Sequence, residues 1–134
     1  HAEALRAAVD VVPHDAAVTS SFNIGPHLSR RRESYDWPNP FWPAYWGNGG
    51  TDCARVPSAS EIEYLALDMT YFRGEGALYG NEAAFIDSLI APDGEFDVIF
   101  EQDNVIVARR VKPGPDGEPQ PPNCPGVNPL APPA

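Results

Sequence analysis

Hydrophobic and polar positions along the first half of the chain predict short alternating helices and strands. Residues 2–12 repeat apolar side chains at the spacing of one helix face, and Pro13 ends that helix. The run 16–20 is typical of a short strand covered on both sides. A short helix is predicted at 26–31, because proline fits the first helical turn, and residues 33–37 predict a second strand.

The second half of the chain has the clearest strand pattern. Residues 61–69 are apolar on both faces near their middle, which favours a central strand. A helix is predicted at 82–91 with Asn81 as its N-cap. Residues 96–102 and 105–111 predict a β-hairpin around Asp103-Asn104, with Phe96, Val98 and Phe100 on one face.

These elements predict an α/β fold. It would be a small three-layer, Rossmann-like domain with a mixed, mainly parallel sheet and a C-terminal antiparallel hairpin. The first two strands should run side by side in the same direction, joined by a right-handed crossover. One domain would span 1–112, and the proline-rich run 113–134 would be an extended tail, since nine of its residues are proline.

Composition narrows the classes of function. The chain has 134 residues and a net charge of −10, and so acidic a protein is a poor ligand for nucleic acid. No apolar run is long enough to span a bilayer. The sequence carries neither GxGxxG nor GxxxxGK(S/T), and no cofactor is expected. It does not begin with Met, so we expect a fragment or a processed product.

The chain has two cysteines, Cys53 and Cys124, neither in a cluster with metal-ligand spacing. They form either a disulfide or two free thiols. Both lie in proline- and glycine-rich sequence, where an exported protein fixes a loose segment, and this favours the disulfide.

Polar residues follow the predicted parallel strands where ligands bind in such sheets. Ser20, Ser21 and Asn23 follow the first strand, Asp36 ends the second, and Asp68 ends the third. Together these residues predict a ligand site at the carboxyl edge of the sheet.

A helix beginning at Pro26 would point free N–H groups at the same edge, and His27, Arg30 and Arg31 could add donors for a phosphate or carboxylate. Structural alternatives stay open. His27 could be a hydrogen-bonded structural residue, the run of arginines a solvated face, and Asp68 a turn or cap residue.

Aromatic side chains are dense after the second strand. Trp37, Phe41, Trp42, Tyr45 and Trp46 would form either a platform for sugar rings or a packed cover on the sheet. The neighbouring prolines and glycines favour packing, while Trp37 and Trp42 stay candidates for ligand contact.

Two motifs resemble a known family. The first motif consists of Pro26-His27-Leu28-Ser29, followed by Arg30 or Arg31, Tyr35 and Pro38-Asn39-Pro40. The second motif spans residues 63–68. Over about residues 2–112 the chain resembles the C-terminal soluble part of predicted bacterial multi-pass membrane proteins catalogued as domain of unknown function 2079. Glu63 stands where that family usually has Asp.

Members of that family look like relatives of membrane glycosyltransferases that use lipid-linked sugars. The resemblance implies a domain that follows transmembrane helices absent from this sequence and lies on the extracytoplasmic face of the bacterial membrane. In such enzymes the catalytic acid lies between early membrane helices, so this part of the chain is expected to have no activity of its own.

The expected function is a non-catalytic accessory domain that contacts an acceptor glycan, a lipid-linked sugar or the chain's own transmembrane domain. One alternative is a small free-standing enzyme for an anionic substrate, with His27, Asp36 and Asp68 clustered. The other is a protein-interaction module that docks through its aromatic loop.

Overall fold

A computed structural model describes residues 1–37, 41, 61–73 and 80–113. Trp42, Cys53 and Cys124 lie outside these residues, as do most of the aromatic loop and of the proline-rich tail. The described elements follow the predicted order: α1 (Ala2–Val11), β1 (Ala17–Ser20), a 3₁₀ turn (Gly25–Leu28), β2 (Glu33–Asp36), β3 (Tyr64–Asp68), a second 3₁₀ turn (Met69–Tyr71), α2 (Gly80–Ile90), β4 (Phe96–Gln102) and β5 (Val105–Arg110).

The fold is α/β, and the described part of the chain has two α-helices and one mixed sheet whose strand order is β2-β1-β3-β5-β4. Strand β1 pairs in parallel with both β2 and β3, as predicted for the first two strands. The sheet is parallel only in this half, however, because β5 pairs antiparallel with β3 and with β4. The predicted C-terminal hairpin is confirmed.

The described residues form two hydrophobic core clusters, and successive residues of the strands alternate between them. Leu65 and Leu67 of β3 belong to the cluster that includes Ile86 and Leu89 of α2. Ala66, between them in sequence, belongs to the cluster that includes Ala4 and Ala8 of α1. Because successive residues of a strand point to opposite faces, the two clusters lie on opposite faces of the sheet.

The predicted helix at 26–31 is instead a single 3₁₀ turn. Its hydrogen bonds begin before Pro26, since the amides of Ile24 and Gly25 both donate to the Ser21 carbonyl. The turn gives way to β2 only a few residues later, which leaves no room for further helical turns. It therefore has no helix N-terminus of the predicted kind.

Strand β3 is shorter than the predicted 61–69, because Asp68 already caps the second 3₁₀ turn. Helix α2 begins at Gly80, so Asn81 lies inside the helix and not at its N-cap, a shift within the usual uncertainty of helix ends.

Strand β4 does not keep Phe96, Val98 and Phe100 on one face. A bulge shifts the register between Val98 and Phe100, and an extra residue in a strand reverses the faces beyond it. Phe96 consequently lies in the cluster with α2, Phe100 packs against the cluster with α1, and Val98 is exposed.

Candidate binding site at the carboxyl edge of the sheet

The strand order creates a switch point at the carboxyl ends of β1 and β3. From β1 the chain proceeds to β2 on one side, whereas from β3 it proceeds to α2 and β4 on the other. The connections therefore separate at this edge, which is the position where open α/β sheets bind ligands. Ser21, Phe22 and Asn23 follow β1 at this point, and Met69, Thr70 and Tyr71 follow β3.

Asp68 connects the segments that meet at the switch point through three side-chain hydrogen bonds. It is 1% exposed, and its Oδ2 accepts hydrogen bonds from Asn23 Nδ2 at 2.9 Å and from His1 Nε2 at 2.7 Å. Its Oδ1 accepts from the Thr70 amide at 3.1 Å. Both carboxylate oxygens are engaged, which offsets the cost of burying the charge. The structural alternative for Asp68, a turn or cap residue, is confirmed.

Ser21 joins the two loops from the other side. Its Oγ accepts from the Asp68 amide at 2.9 Å, and its own amide donates to the Ala66 carbonyl at 3.0 Å. The Ser21 carbonyl in turn accepts from the amides that begin the first 3₁₀ turn. Side chain and backbone thus hold the loop after β1 against the end of β3.

An aromatic pair lies beside this polar network. The ring of Phe22 is 48% exposed, and its centroid lies 4.7 Å from that of Tyr71, with the planes tilted by 50°. Sequence reasoning missed both residues. The signal available was their position, since Phe22 lies between two predicted site residues and Tyr71 lies three residues after Asp68.

On the other side of β1, where it pairs with β2, the first 3₁₀ turn approaches the strand ends closely. Ser20 Oγ is buried and has no hydrogen-bond partner, while Asp36 at the end of β2 is exposed. A Cβ at Gly25 would lie 3.2 Å from Asp36 Oδ1 and 3.4 Å from Ser20 Oγ. This close approach accounts for glycine at position 25 and brings the first 3₁₀ turn over the ends of β1 and β2.

Two of the three consecutive arginines lie at the opposite edge of the sheet. Arg31 donates to the carbonyls of Val9 and Val12 at the end of α1, at 3.0 and 3.2 Å. Arg32 donates to the Asp15 carbonyl at 2.9 Å and to Glu63 at 2.8 Å. All of these partners lie where β1 and β3 begin, whereas Asp68 lies where β3 ends.

The remaining basic candidates are solvent-exposed. His27 belongs to the first 3₁₀ turn, and its amide donates to the Ile24 carbonyl instead of facing an anion. Arg30 is exposed next to Arg31. The imidazole that reaches Asp68 belongs to His1 and not to His27. The enzyme alternative expected His27, Asp36 and Asp68 to cluster, but the histidine that contacts Asp68 is His1.

Trp37 lies inside the cluster beneath α2. It is 4% exposed, stacks on Phe85 at 5.9 Å and contacts Phe41 at 5.6 Å. Trp37 and Phe41 are therefore packed in the core, as the second of the two alternatives for the aromatic segment expected. The ligand-contact role predicted for Trp42 falls outside the described residues.

Glu82 is buried next to Trp37. The carboxyl is 1% exposed, and loss of hydration raises its pKa from 4.5 to about 7. The indole N–H of Trp37 is close enough to lower that pKa in part, yet neither Trp37 Nε1 nor Glu82 Oε1 makes a hydrogen bond of normal geometry. Glu82 is therefore neutral over a wider pH range than an exposed glutamate.

Carboxylates outnumber cationic groups at the carboxyl edge, where the N-terminal ammonium of His1 pairs with Asp103 at 3.3 Å. Asp36 and Asp68 end their strands there, and Asp103 lies in the β4–β5 turn, which docks at the same edge through a 2.7 Å hydrogen bond from the Met69 amide to the Asn104 carbonyl. The arginines Arg31 and Arg32 are held at the other edge, as their contacts show. The edge with the polar network therefore has the wrong sign for a phosphate or carboxylate ligand.

In the described parts of the chain, no three His, Cys, Asp or Glu side chains converge as a metal site. Within the same residues, no helix has the length and hydropathy of a membrane span. Comparisons with models of known families, with curated proteins and with solved structures found no match.

Proposed function

We propose that the chain is a non-catalytic, extracytoplasmic accessory domain of a bacterial membrane protein of glycosyltransferase type, and that it contacts a glycan through the carboxyl edge of β1 and β3. The observation that carries the proposal is the hydrogen-bonded network of Asp68, Asn23 and Ser21 at the switch point. Rigid polar groups at such a position orient a polyhydroxyl ligand without having to reorganise.

The same network supports a binding role over a catalytic one. Both oxygens of Asp68 already accept hydrogen bonds from the protein, so this carboxylate is committed to holding the loops. Glu82 has the raised pKa expected of an acid catalyst, but it is enclosed in the aromatic cluster. At 1% exposure, it would come into contact with a substrate from solvent only if that cluster unpacked.

We also propose that the fold is a small three-layer, Rossmann-like domain. Helix α1 packs with the cluster on one face of the sheet and helix α2 with the cluster on the other. The β2-β1-β3 half has the parallel pairing and switch point of doubly wound folds. The antiparallel hairpin of β4 and β5 would be an addition to that half.

The cellular setting rests on the resemblance to the membrane-protein family. It would place the domain beside its own transmembrane helices, near lipid-linked sugars or the glycans that accept them. An exported position agrees with a disulfide between Cys53 and Cys124, which lie outside the described residues.

The test combines a binding assay with an activity assay on the purified domain. A glycan array with neutral and acidic oligosaccharides should give weak, saturable binding to part of the panel. Incubation with the bound glycans and with a lipid-phosphate sugar donor should give no hydrolysis and no transfer. Turnover by the domain alone would contradict the accessory role, and no binding to any glycan would contradict the proposed contact.

A further inference from the structure

We propose that Phe22 and Tyr71 form a platform for one face of an uncharged pyranose ring, with Asn23 and Thr70 as its polar neighbours. This inference rests on the proposed function and names the class of sugar that the switch point would accept. The residues lie in the loops that follow β1 and β3, so the platform lies at the switch point itself. None of these residues was a predicted ligand contact except Asn23, which was a candidate by position.

The platform is both exposed and fixed. Almost half of the Phe22 side chain is open to solvent, while Tyr71 behind it is partly buried against the core cluster beneath α2. The face of an aromatic ring is electron-rich, and the axial C–H groups on one face of a pyranose carry partial positive charge. A ring held in place before binding loses little conformational entropy when the sugar stacks on it.

Each ring has a polar neighbour in sequence that is bonded to Asp68. Asn23 follows Phe22, and its Nδ2 is held by Asp68, which fixes the orientation of the amide. Its Oδ1 accepts no hydrogen bond from the described residues, and a small movement of the half-buried side chain would present it to a sugar hydroxyl. Thr70, next to Tyr71, is exposed and has its amide fixed by the same carboxylate.

The local charge selects among sugars. At this edge Asp68 and Asp103 are paired with the imidazole and the N-terminal ammonium of His1, and Asp36 is exposed. The guanidinium groups of Arg31 and Arg32 are bound at the other edge. A uronic acid or a sugar phosphate would be repelled by Asp36 and by the net charge of −10 of the chain, whereas a neutral sugar would not. The ligand class is therefore a neutral hexopyranose, not an anionic one.

The test uses three variants and a matched pair of glycosides. Phe22→Ala removes the platform, Phe22→Trp preserves it, and Ile99→Ala removes a similarly exposed hydrophobic side chain from β4. Each variant and the parent domain are titrated by NMR with methyl β-D-glucopyranoside and methyl β-D-glucuronide, and with the neutral oligosaccharides that bind on the array. Circular dichroism verifies that all variants are folded.

We expect Phe22→Ala to weaken binding of neutral sugars about tenfold or more, and Phe22→Trp and Ile99→Ala to retain it. The parent domain should prefer the glucopyranoside to the glucuronide, and the preference should shrink in high salt. If Phe22→Ala binds neutral glycans as well as the parent, or if the glucuronide binds better, this inference is wrong while the proposed glycan contact stands. If no glycan binds the parent domain, the proposed function fails as well.

Discussion

Glu82 has an environment that ties stability to pH. The carboxyl is neutral in the folded protein up to about pH 7, whereas in the unfolded chain it ionises near its ordinary value of 4.5. The folded state therefore has its full stability at pH values below the unfolded pKa. Stability is lost as the pH rises between the two pKa values, and it stays constant above the folded one.

We predict that Glu82 makes the domain less stable at neutral than at acidic pH, by up to about 3 kcal/mol. Glu82→Gln, which cannot ionise, should remove this loss and stabilise the protein at about pH 8. The measurement is urea unfolding of parent and variant at about pH 5 and about pH 8. The matched control is Glu3→Gln, at the corresponding first turn of α1 but exposed, which should leave the pH dependence unchanged. Equal pH dependence in parent and Glu82→Gln would show that this carboxyl is hydrated.

Single residues were the part of the site that the sequence predicted least well. Asp68 was correctly placed at the carboxyl edge, because the end of a strong apolar strand pattern fixes the position of the next polar residue. Burial of Glu82 could not be predicted, since acids in a first helical turn are usually solvated. Phe22 shows the reverse case, because an aromatic residue after a buried strand is ordinarily expected in the core.

Among the elements, α1 depends on a residue from a distant part of the chain. The last carbonyls of a helix lack the amide donors that a further turn would provide. At the end of α1 the Val9 carbonyl accepts from the Val12 amide, and Arg31 donates to the carbonyls of both Val9 and Val12. Its positive charge also lies at the negative end of the helix dipole. The guanidinium thereby fastens α1 to the segment that leads into β2.

We predict that Arg31→Ala destabilises the domain by about 2 kcal/mol, because two charge-assisted hydrogen bonds to partly buried carbonyls are lost. Arg31→Lys should recover only part of this, since an ammonium lacks the planar fork that spans both carbonyls. The neighbouring exposed Arg30 provides the control, and Arg30→Ala should change stability by no more than about 0.5 kcal/mol. Chemical denaturation of the three variants checks these values. Equal effects of Arg31→Ala and Arg30→Ala would show that the hydrogen bonds from Arg31 to the end of α1 do not stabilise the domain.

The elements themselves were largely predictable, since periodicity in the sequence reports which faces are buried. The hairpin is an example: Asp103-Asn104 was predicted as its turn, and both residues have the positive φ, 53° and 65°, that such a turn requires. The β4 bulge was not predictable, because an alternating pattern does not reveal where one residue is inserted. The 3₁₀ turn at Gly25–Leu28 was mistaken for a helix because proline fits the first turn of both.

For the whole molecule, the distribution of charge decides what the sheet edge can bind. The sequence placed basic residues near the carboxyl edge because they follow β1, but the chain between β1 and β2 must return to the other end of the sheet before β2 begins. Arg31 and Arg32 come late in that return and are therefore carried to the opposite edge. Parallel pairing, which the sequence predicted correctly, is thus the reason that the expected anion site is not assembled.

The resemblance to the membrane-protein family stays a prediction, and the extracytoplasmic setting depends on it. The proposed site does not depend on that resemblance, because it follows from the pairing of β1 with β3 and from the contacts of Asp68, Asn23 and Ser21. The central claim is therefore one of location: the ligand-binding surface of this domain is the switch point between those two strands.

Amide NMR of the isotopically labelled domain, titrated with a neutral oligosaccharide selected on the array, tests that claim most directly. The account predicts that the shift changes cluster at residues 21–24 and 68–72 and leave the amides of β4 unmoved. Shift changes concentrated on β4, or around Arg31 at the opposite edge of the sheet, where β1 and β3 begin, would contradict it.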